Sequence, residues 1–273
     1  MIRRLVYNLL GRSVYIGLEA RRQRRQFSRF RYHDPESRLL GLFIRAGDVC
    51  LDVGANLGSY TFYLSRLVGE EGVVYAFEPV PETFEGLLHN LALSRLDNVC
   101  ALNVGVSNQT GASTVFVPKI HGLPSHGRAS LRRTASGEVG EYRAVSLITI
   151  DDFYATNHLN RLSFIKMDIE GAELLAVQGA RRVIHLHSPV LLLEIELEHT
   201  ARFGYRPRDL LNLLLTLDYT HMLYWNGTAL VSVNIEDALQ GDEIGQPSSG
   251  MTGGEVYNFF FVPSSKLPHS LVP

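Results

Sequence analysis

The sequence predicts a single α/β domain whose central, mostly parallel β-sheet is covered by helices on both faces. Strand-like and helix-like runs alternate from residue 48 onward, which is typical of parallel sheets with helical crossovers. The strand-like runs are almost continuously apolar, as expected for strands buried on both faces. The chain has 273 residues, of which 45% are hydrophobic, and this is enough for one large domain.

Periodicity and proline positions define the elements of the first half. Apolar and aromatic residues recur with helical spacing after the first glycine turn, and Pro81 suits the first turn of a helix. The strands are short apolar or β-branched runs. These signals predict strands at 48–53, 72–79, 99–107 and 111–118, and helices at 57–68 and 81–94.

The second half continues the alternation after an irregular insertion. Residues 119–141 are rich in Gly, Ser, Arg and His without apolar periodicity, and such long insertions are usually functional or mobile. Asp151 and Asp152 mark a helix start, and Asn226-Gly227 is a hairpin signal between two strands. Further strands are predicted at 142–150, 162–171, 189–196 and 255–263, and helices at 172–184 and 206–217.

The N-terminal segment carries much of the positive charge. Residues 1–33 contain nine arginines and one acid, although the whole chain has a formal net charge of −2. We expect a basic helical extension over residues 1–40, joined to one domain over residues 41–265. The extension either packs on the domain or docks to an anionic membrane surface.

Composition narrows the class of protein. The net charge gives no reason to expect a nucleic-acid partner. No apolar run approaches the ~18 residues of a transmembrane helix, and no signal-peptide cleavage site follows the first arginines. Cys50 and Cys100 are expected to be reduced thiols, as in a cytoplasmic protein. We therefore predict a cytoplasmic location, with a peripheral membrane contact as an alternative, and leave a homo-oligomer open.

The stretch DVGANLGSY (52–60) is the first candidate binding site. Gly54 and Gly58 are four residues apart, which matches neither the dinucleotide motif nor the P-loop. Asp52 is poorly placed beside a phosphate but suits a ligand with a positive charge. S-adenosylmethionine carries a sulfonium and an amino group, so it is the predicted cofactor, with Asn56 as a further contact. A nicotinamide-dependent oxidoreductase is the alternative, although the third glycine of its motif is missing.

Polar residues at the ends of the next strands complete the predicted cofactor site. In open α/β sheets, ligands bind outside the carboxyl ends of the strands. Glu78 ends the second predicted strand, where its carboxylate can accept hydrogen bonds from both ribose hydroxyls. Ser107 or Asn108, at the end of the third predicted strand, is placed to meet the adenine edge.

The block KMDIEGAE (166–173) is the candidate reaction site. A lysine in an apolar strand and several acids close behind it are costly to bury unless they are paired or line a cleft. Asp168 leaves its strand at the carboxyl end, towards the expected sulfonium. Glu170 and Glu173 follow at a helix start, where the helix dipole alone can account for Glu173.

Four stretches occur in a fixed order between about Asp48 and Glu196: DVGANLGSYT, VYAFEPVPETFEGLLHN, VSLITIDDF and FIKMDIEGAELLAVQGA. With these motifs the chain resembles the FkbM-type family of class I S-adenosylmethionine-dependent methyltransferases. The resemblance implies a Rossmann-like, doubly wound, mostly parallel seven-stranded sheet with an antiparallel edge strand. It also implies O-methylation of a hydroxyl group of a sugar, glycan, glycolipid or secondary metabolite.

The resemblance also assigns roles to residues. It gives the cofactor Asp52, Gly54, Asn56, Gly58 and Glu78, and it gives the active-site block Lys166, Asp168, Glu170 and Glu173. Family members commonly have Ser-Asp where this chain has Ser107-Asn108, so no acid is available here for the adenine amino group.

The reaction chemistry leaves several alternatives open. Asp168 is the preferred base or orienting group for the acceptor hydroxyl, and Lys166 either holds the acceptor oxygen or fixes the carboxylates. Alternative bases are His121, His126 and His199. No metal is expected, although Asp168, Glu170 and Glu194 carry oxygen ligands suited to Mg²⁺. A non-catalytic, membrane-peripheral protein that binds S-adenosylmethionine is a further interpretation.

Overall fold

The computed structural model describes residues 12–27, 35–132, 138–240 and 257–267. The strands in these ranges are β1 (Val49–Val53), β2 (Val73–Phe77), β3 (Val99–Leu102), β4 (Gly105–Val106), β5 (Gly111–Ile120), β6 (Leu123–Pro124), β7 (Gly140–Ile148), β8 (Phe164–Met167), β9 (Val190–Glu194), β10 (Tyr219–Trp225), β11 (Leu230–Asn234) and β12 (Asn258–Pro263). The α-helices are α1 (Arg12–Phe27), α2 (Ser59–Val68), α3 (Pro81–Ser94), α4 (Ile150–Thr156), α5 (Glu173–Gln178), α6 (Arg181–His187), α7 (Leu197–Arg202), α8 (Pro207–Leu215) and α9 (Ile235–Gln240).

Eight of the described strands form the main sheet, in the order β11-β10-β12-β9-β8-β1-β2-β3. The five strands from β9 to β3 are parallel, whereas β12 is antiparallel to both of its neighbours. The hairpin at Asn226-Gly227 adds β11 as an antiparallel edge strand, one more strand than the seven expected. The predicted doubly wound α/β fold is confirmed.

The two faces of the sheet have separate hydrophobic clusters, because successive side chains of a strand point to opposite faces. In β1, Leu51 and Val53 belong to the cluster covered by α4, α5, α6, α8 and α9. Cys50 belongs to the opposite cluster, which α2 and α3 cover with Leu64 and Leu87. Burial on both faces explains why the strands have no polar alternation.

A second sheet, in the order β4-β7-β5-β6, lies outside the predicted plan. The expected single strand over 99–107 is wrong, because the chain leaves the main sheet after β3. At that point the Asn103 amide donates to the carbonyls of Glu78 and Pro79 at 2.8 and 3.1 Å. The insertion at 119–141 is more regular than predicted, since it contributes to β5, β6 and β7. Residues 133–137 lie outside the described part.

Helix α1 lies in the predicted basic extension and packs on α3. Ile16 and Ala20 are buried against that helix, near Gly86. The rest of the predicted extension, residues 1–11 and 28–34, lies outside the described residues, and the boundary at residue 40 remains a prediction. No helix in the described ranges is long and apolar enough to cross a membrane.

Candidate functional site

The glycine turn after β1 is fixed to the ends of both neighbouring strands. The backbone N–H groups of Gly54 and Ala55 donate to the Phe77 carbonyl at 3.0 and 2.9 Å. Gly54 has a φ of +79°, and a Cβ atom there would lie 1.9 Å from the carbonyl oxygen of Asp168. Only glycine fits this contact. Asn56 and Gly58 also have positive φ angles, so the turn exposes backbone where a ligand can approach closely.

Glu78 is buried at the end of β2 and supports the same turn. Its two carboxylate oxygens accept hydrogen bonds from the backbone N–H groups of Asn56 at 3.0 Å and Val80 at 2.9 Å. Burial raises the pKa of Glu78 to about 7, although both backbone bonds oppose the shift. Each oxygen keeps acceptor capacity for a ligand hydroxyl. Glu78 therefore lies at the end of β2 with free acceptor capacity, and its contact with the ribose remains a prediction.

A cleft of about 690 Å³, partly open to solvent, runs along the carboxyl ends of the strands. The polar lining residues follow three strands: Asn56 follows β1, Glu78 follows β2, and Asp168 and Glu170 follow β8. The remaining lining residues are apolar or glycine. The lining is Val53, Gly54, Asn56, Phe77, Glu78, Pro79, Val80, Gly105, Val106, Val115, Gly127, Ala129, Leu131, Leu147, Asp168, Ile169, Glu170 and Ala172. An apolar cleft with a few convergent polar groups is typical of a cofactor site.

The insertion supplies one wall of this cleft through residues 125–131, here called the strap. Ser130 exchanges two backbone hydrogen bonds with Phe116 of β5, at 2.8 and 3.0 Å. Its hydroxyl donates to the Glu170 carbonyl at 3.2 Å. Gly127 approaches Asn56 so closely that a Cβ atom would lie 3.0 Å from the side-chain amide. The strap thus contacts Asn56 and Glu170, two of the polar lining residues.

Lys166 and Asp52 form a buried ion pair behind the glycine turn. The ammonium lies 3.7 Å from Asp52 Oδ1, 3.2 Å from Asp168 Oδ2 and 4.8 Å from the centre of the Tyr60 ring. Burial disfavours its charge, but Asp168 and Asp52 outweigh burial and raise the pKa of Lys166. Asp52 is fully buried, which raises its pKa, and it accepts a hydrogen bond from Thr61 at 2.5 Å. Neither charged group lines the cleft, so the geometry favours a supporting role for both.

Asp168 and Glu170 do line the cleft. The Asp168 side chain is 39% exposed and lies next to the Lys166 ammonium. Glu170 has a positive φ of 57° in the turn after β8, and its side chain is only 12% exposed. Burial raises the pKa of Glu170 to about 7, and His199 opposes this shift. Asp168 is therefore the carboxylate best placed to meet a second substrate.

His199 on α7 lies among three carboxylates, those of Glu170, Glu194 and Glu196. Its Nε2 atom is 2.8 Å from Glu196 and 3.3 Å from Glu170, and its Nδ1 atom is 3.7 Å from Glu194. Burial disfavours the imidazolium, but the three glutamates together raise the pKa of His199. Arg202, one turn along, lies 3.8 Å from Glu170. This network joins the ends of β8 and β9 to α7.

Other predicted residues lie away from the cleft. Glu173 is buried and accepts hydrogen bonds from the backbone of Ile169 and Gly171, so it braces the turn that carries Glu170. Ser107 and Asn108 follow β4 and are not among the lining residues; Asn108 bonds Gln178 instead. Their contact with adenine remains a prediction, next to the lining residues Gly105 and Val106.

The alternative bases and ligands are placed less favourably. His121 is exposed in the turn between β5 and β6, and the side chain of His126 lies outside the described part. In the described ranges, no group of three or more His, Cys, Asp or Glu side chains is arranged to hold a metal ion. His199 is thus the one proposed alternative base that the structure places beside a cleft residue.

Two residues that contact predicted site residues carry no sequence signal: Thr61 bonds Asp52, and Arg202 lies beside Glu170. Glu196, at the end of the predicted strand 189–196, contacts His199. The strap was expected only as an irregular insertion. Its sequence gives no local signal for this position, since residues 126–128 form a 3-10 helical turn and the buried residue of the segment is the polar Ser130.

The fold and the cleft define a Rossmann-like protein with a candidate cofactor site at the carboxyl edge of its sheet. The family described as "Methyltransferase FkbM domain" matches residues 52–221, which is more than half of the chain. The chain belongs to this family. S-adenosylmethionine is its cofactor, which favours the methyltransferase interpretation over the nicotinamide-dependent alternative.

Individual relatives are distant and match only in part. The chain is 28% identical over 153 residues to methyltransferase sdnD of Sordaria araneosa, which covers 47% of this chain and 59% of the relative. It is 26% identical over 167 residues to the hexuronic acid methyltransferase AglP of Haloferax volcanii, which covers 61% of each chain. It is 26% identical over 161 residues to the 31-O-demethyl-FK506 methyltransferase FkbM of Streptomyces tacrolimicus, which covers 51% of this chain and 62% of the relative. The chain thus spans about three fifths of these relatives.

The cleft residues fit the cofactor. Glu78 offers two carboxylate oxygens to ribose hydroxyls, and the apolar lining around Val80 and Val106 suits a purine ring. The close approach of Gly54 to the Asp168 carbonyl leaves the turn without side chains at that point. Asp168 and Glu170 add carboxylates to the lining at the end of β8.

Proposed function

We propose that this protein is an S-adenosylmethionine-dependent O-methyltransferase that acts on a hydroxyl of a sugar, a glycan or glycolipid, or a secondary metabolite. The observation that carries the proposal is Asp168, a partly exposed carboxylate that lines the cleft beside the glycine turn after β1, here called the cofactor turn (residues 54–58). The names of two relatives support it, since one is a hexuronic acid methyltransferase and another a 31-O-demethyl-FK506 methyltransferase.

Asp168 performs the acid–base part of this reaction. A hydroxyl is a weak nucleophile, and a positioned base contributes typically about 10²- to 10⁴-fold to such a step. The bound cofactor supplies an electrophilic methyl group on a sulfonium. Asp168 would accept a hydrogen bond from the acceptor hydroxyl, orient its oxygen, and take its proton as the O–CH₃ bond forms and the S–CH₃ bond of the cofactor breaks, with the neutral thioether as the leaving group. The carboxyl then returns the proton to solvent, to which it is open.

Lys166 and Asp52 keep this carboxylate in place. Lys166 donates to the Gly54 carbonyl at 3.4 Å and to Asp168 at 3.2 Å, so one ammonium links the cofactor turn to the reactive carboxylate. Asp52 balances its charge from behind. The ion pair thereby sets the separation between the cofactor and the base, and orientation is a large part of the rate in a bimolecular transfer.

Asp168→Asn tests the assignment, because it keeps the shape of the side chain and removes the base. We expect S-adenosylhomocysteine affinity in calorimetry to change less than about threefold. We expect transfer of labelled methyl from S-adenosylmethionine to fall about 10²-fold or more. The acceptor probes are D-glucuronic acid, methyl glycosides and a glycolipid extract. Asp97→Asn, at an exposed position outside the cleft, is the matched control. Full turnover by Asp168→Asn on an accepted probe would show that Asp168 is not the base.

A further inference from the structure

Helix α1 has two chemically different faces. Its inner face packs on α3, with Ile16 5% exposed and Ala20 fully buried. Arg24 fixes the end of this contact, since its guanidinium donates to the Leu93 carbonyl at 2.9 Å and to the Ser94 hydroxyl at 3.3 Å. The helix is therefore held along α3 through one side, and its other side is presented to solvent.

The outer face combines exposed apolar and basic side chains. Val14 and Leu18 are each 46% exposed, and Arg21, Arg22 and Arg25 are exposed further along. Arg21 also donates to His89 of α3 at 3.3 Å, and with Val14 and Leu18 it borders a shallow groove between the two helices, whereas Arg22 and Arg25 lie outside that groove. These residues follow the spacing i, i+4, i+7, i+8 and i+11, so they form one stripe on the helix. The stripe is apolar in its first half and carries three positive charges in its second half.

This arrangement favours one kind of partner. An apolar stripe beside clustered arginines is the chemistry of helices that lie in the interface of an anionic bilayer. The charge is segregated in the sequence as well, because nine arginines and one acid occur in residues 1–33 of a chain with a net charge of −2. We propose that the outer face of α1 is a docking surface for an anionic membrane.

The docking surface lies close to the cofactor turn. Gly86 of α3 separates Ile16 from Leu57, since a Cβ atom on Gly86 would lie 2.9 Å from Ile16 and 2.5 Å from Leu57. Leu57 belongs to the turn that follows β1. The inner face of α1 thus packs beside the turn that follows β1. Docking through α1 would bring this turn towards the bilayer, which suits a lipid-borne acceptor; only this last link rests on the proposed function.

Vesicle co-sedimentation of the full chain tests the surface. We expect binding to phosphatidylcholine vesicles that contain phosphatidylglycerol, little binding to phosphatidylcholine alone, and loss of binding at high salt. Arg22→Gln/Arg25→Gln should lower the partition coefficient about 10- to 30-fold, since each surface arginine contributes about 1 kcal/mol. Leu18→Ser should lower it several-fold without a change in charge.

The matched control is Arg161→Gln/Arg181→Gln, which removes two exposed arginines elsewhere and should leave partitioning unchanged. All variants should keep wild-type S-adenosylhomocysteine affinity and melting temperature, because the substituted side chains are exposed. The proposal is overturned by absence of vesicle binding, by equal binding to neutral vesicles, or by equal losses in the two double variants. Self-association through α1, seen as a dimer in light scattering that Leu18→Ser dissolves, would overturn it as well. None of these four results would affect the proposed methyltransferase function.

Discussion

Replacement of Glu78 by glutamine should disable cofactor binding without unfolding the protein. The wild-type carboxylate accepts one backbone N–H on each oxygen, from Asn56 and from Val80. A glutamine amide has one oxygen and one NH₂ group, so one of these N–H groups would face another donor. The turn at Asn56 then loses its support, and the ribose hydroxyls lose a charged acceptor.

The size of the effect follows from the number of bonds lost. A hydrogen bond to a charged group is worth about 1.5–3 kcal/mol. The loss of one such bond to the cofactor corresponds to an affinity about 10- to 150-fold weaker, since 1.4 kcal/mol is tenfold. Protein stability should change less. Because burial raises the pKa of Glu78, the folded state keeps this proton up to about pH 7, whereas the unfolded state releases it near pH 4.5. The free energy of unfolding therefore falls as pH rises from about 4.5 to about 7. Glutamine does not ionise, so Glu78→Gln avoids this loss of stability.

Titration calorimetry with S-adenosylhomocysteine measures the effect. Wild-type affinity should rise with pH up to about 7 and then level off, because the ionised carboxylate is the better acceptor. Glu78→Gln should bind weakly and without this pH dependence, while Glu71→Gln, at an exposed loop position, should behave as wild type. An affinity of Glu78→Gln within about threefold of wild type would refute the assigned role.

Two further changes test the turn and the charge network. Gly54→Ala should abolish cofactor binding, because its Cβ atom would lie 1.9 Å from the Asp168 carbonyl. Gly47→Ala, with a similar φ of +85° but nothing within 4 Å, should cost only about 1–2 kcal/mol of stability and keep binding, as calorimetry and melting curves would show. His199→Gln should lower the melting temperature most below pH 6.5, since a raised histidine pKa stabilises the folded state there, and this contribution is lost as pH rises through the raised value. A pH-independent difference, or an equal one in the exposed His185→Gln, would contradict this account.

The sheet could be predicted because its signals are local. Apolar runs, glycine turns and the Asn226-Gly227 dipeptide each act within a few residues, and the structure confirms most of the strands and helices that they predict. The predicted helix over 172–184 is instead two short helices, Glu173–Gln178 and Arg181–His187, separated at Gly179 and Ala180. The second sheet could not be predicted in this way. β4 has only two residues, and it pairs with β7 some forty positions later in the chain. Pairing at such separation depends on tertiary contacts rather than on local pattern.

The sequence predicts which strand ends carry the candidate site residues, but not which of these residues reach the cleft and which are buried behind it. The sequence places Asp52, Lys166 and Asp168 at one edge of the sheet, and the register pairs Asp52 with Lys166 on neighbouring strands. It does not show which of the three reaches the cleft. Residues of a strand alternate between faces, but the residue at the strand end leaves this alternation, so Asp168 turns outward while its partners stay buried. That distinction follows from the course of the turn after β8.

The charges around the cleft indicate how it distinguishes a charged from a neutral ligand. Glu78 and Glu170 both have pKa values raised to about 7, because burial leaves their negative charge without enough compensation. Lys166 does not compensate them fully, since its nearest carboxylates are Asp52 and Asp168. A cation that enters the cleft therefore interacts favourably with these carboxylates and lowers their pKa values. A sulfonium is such a cation, whereas the thioether left after methyl transfer is neutral. In the proposed reaction the same carboxylates would favour the cationic methyl donor over the neutral product.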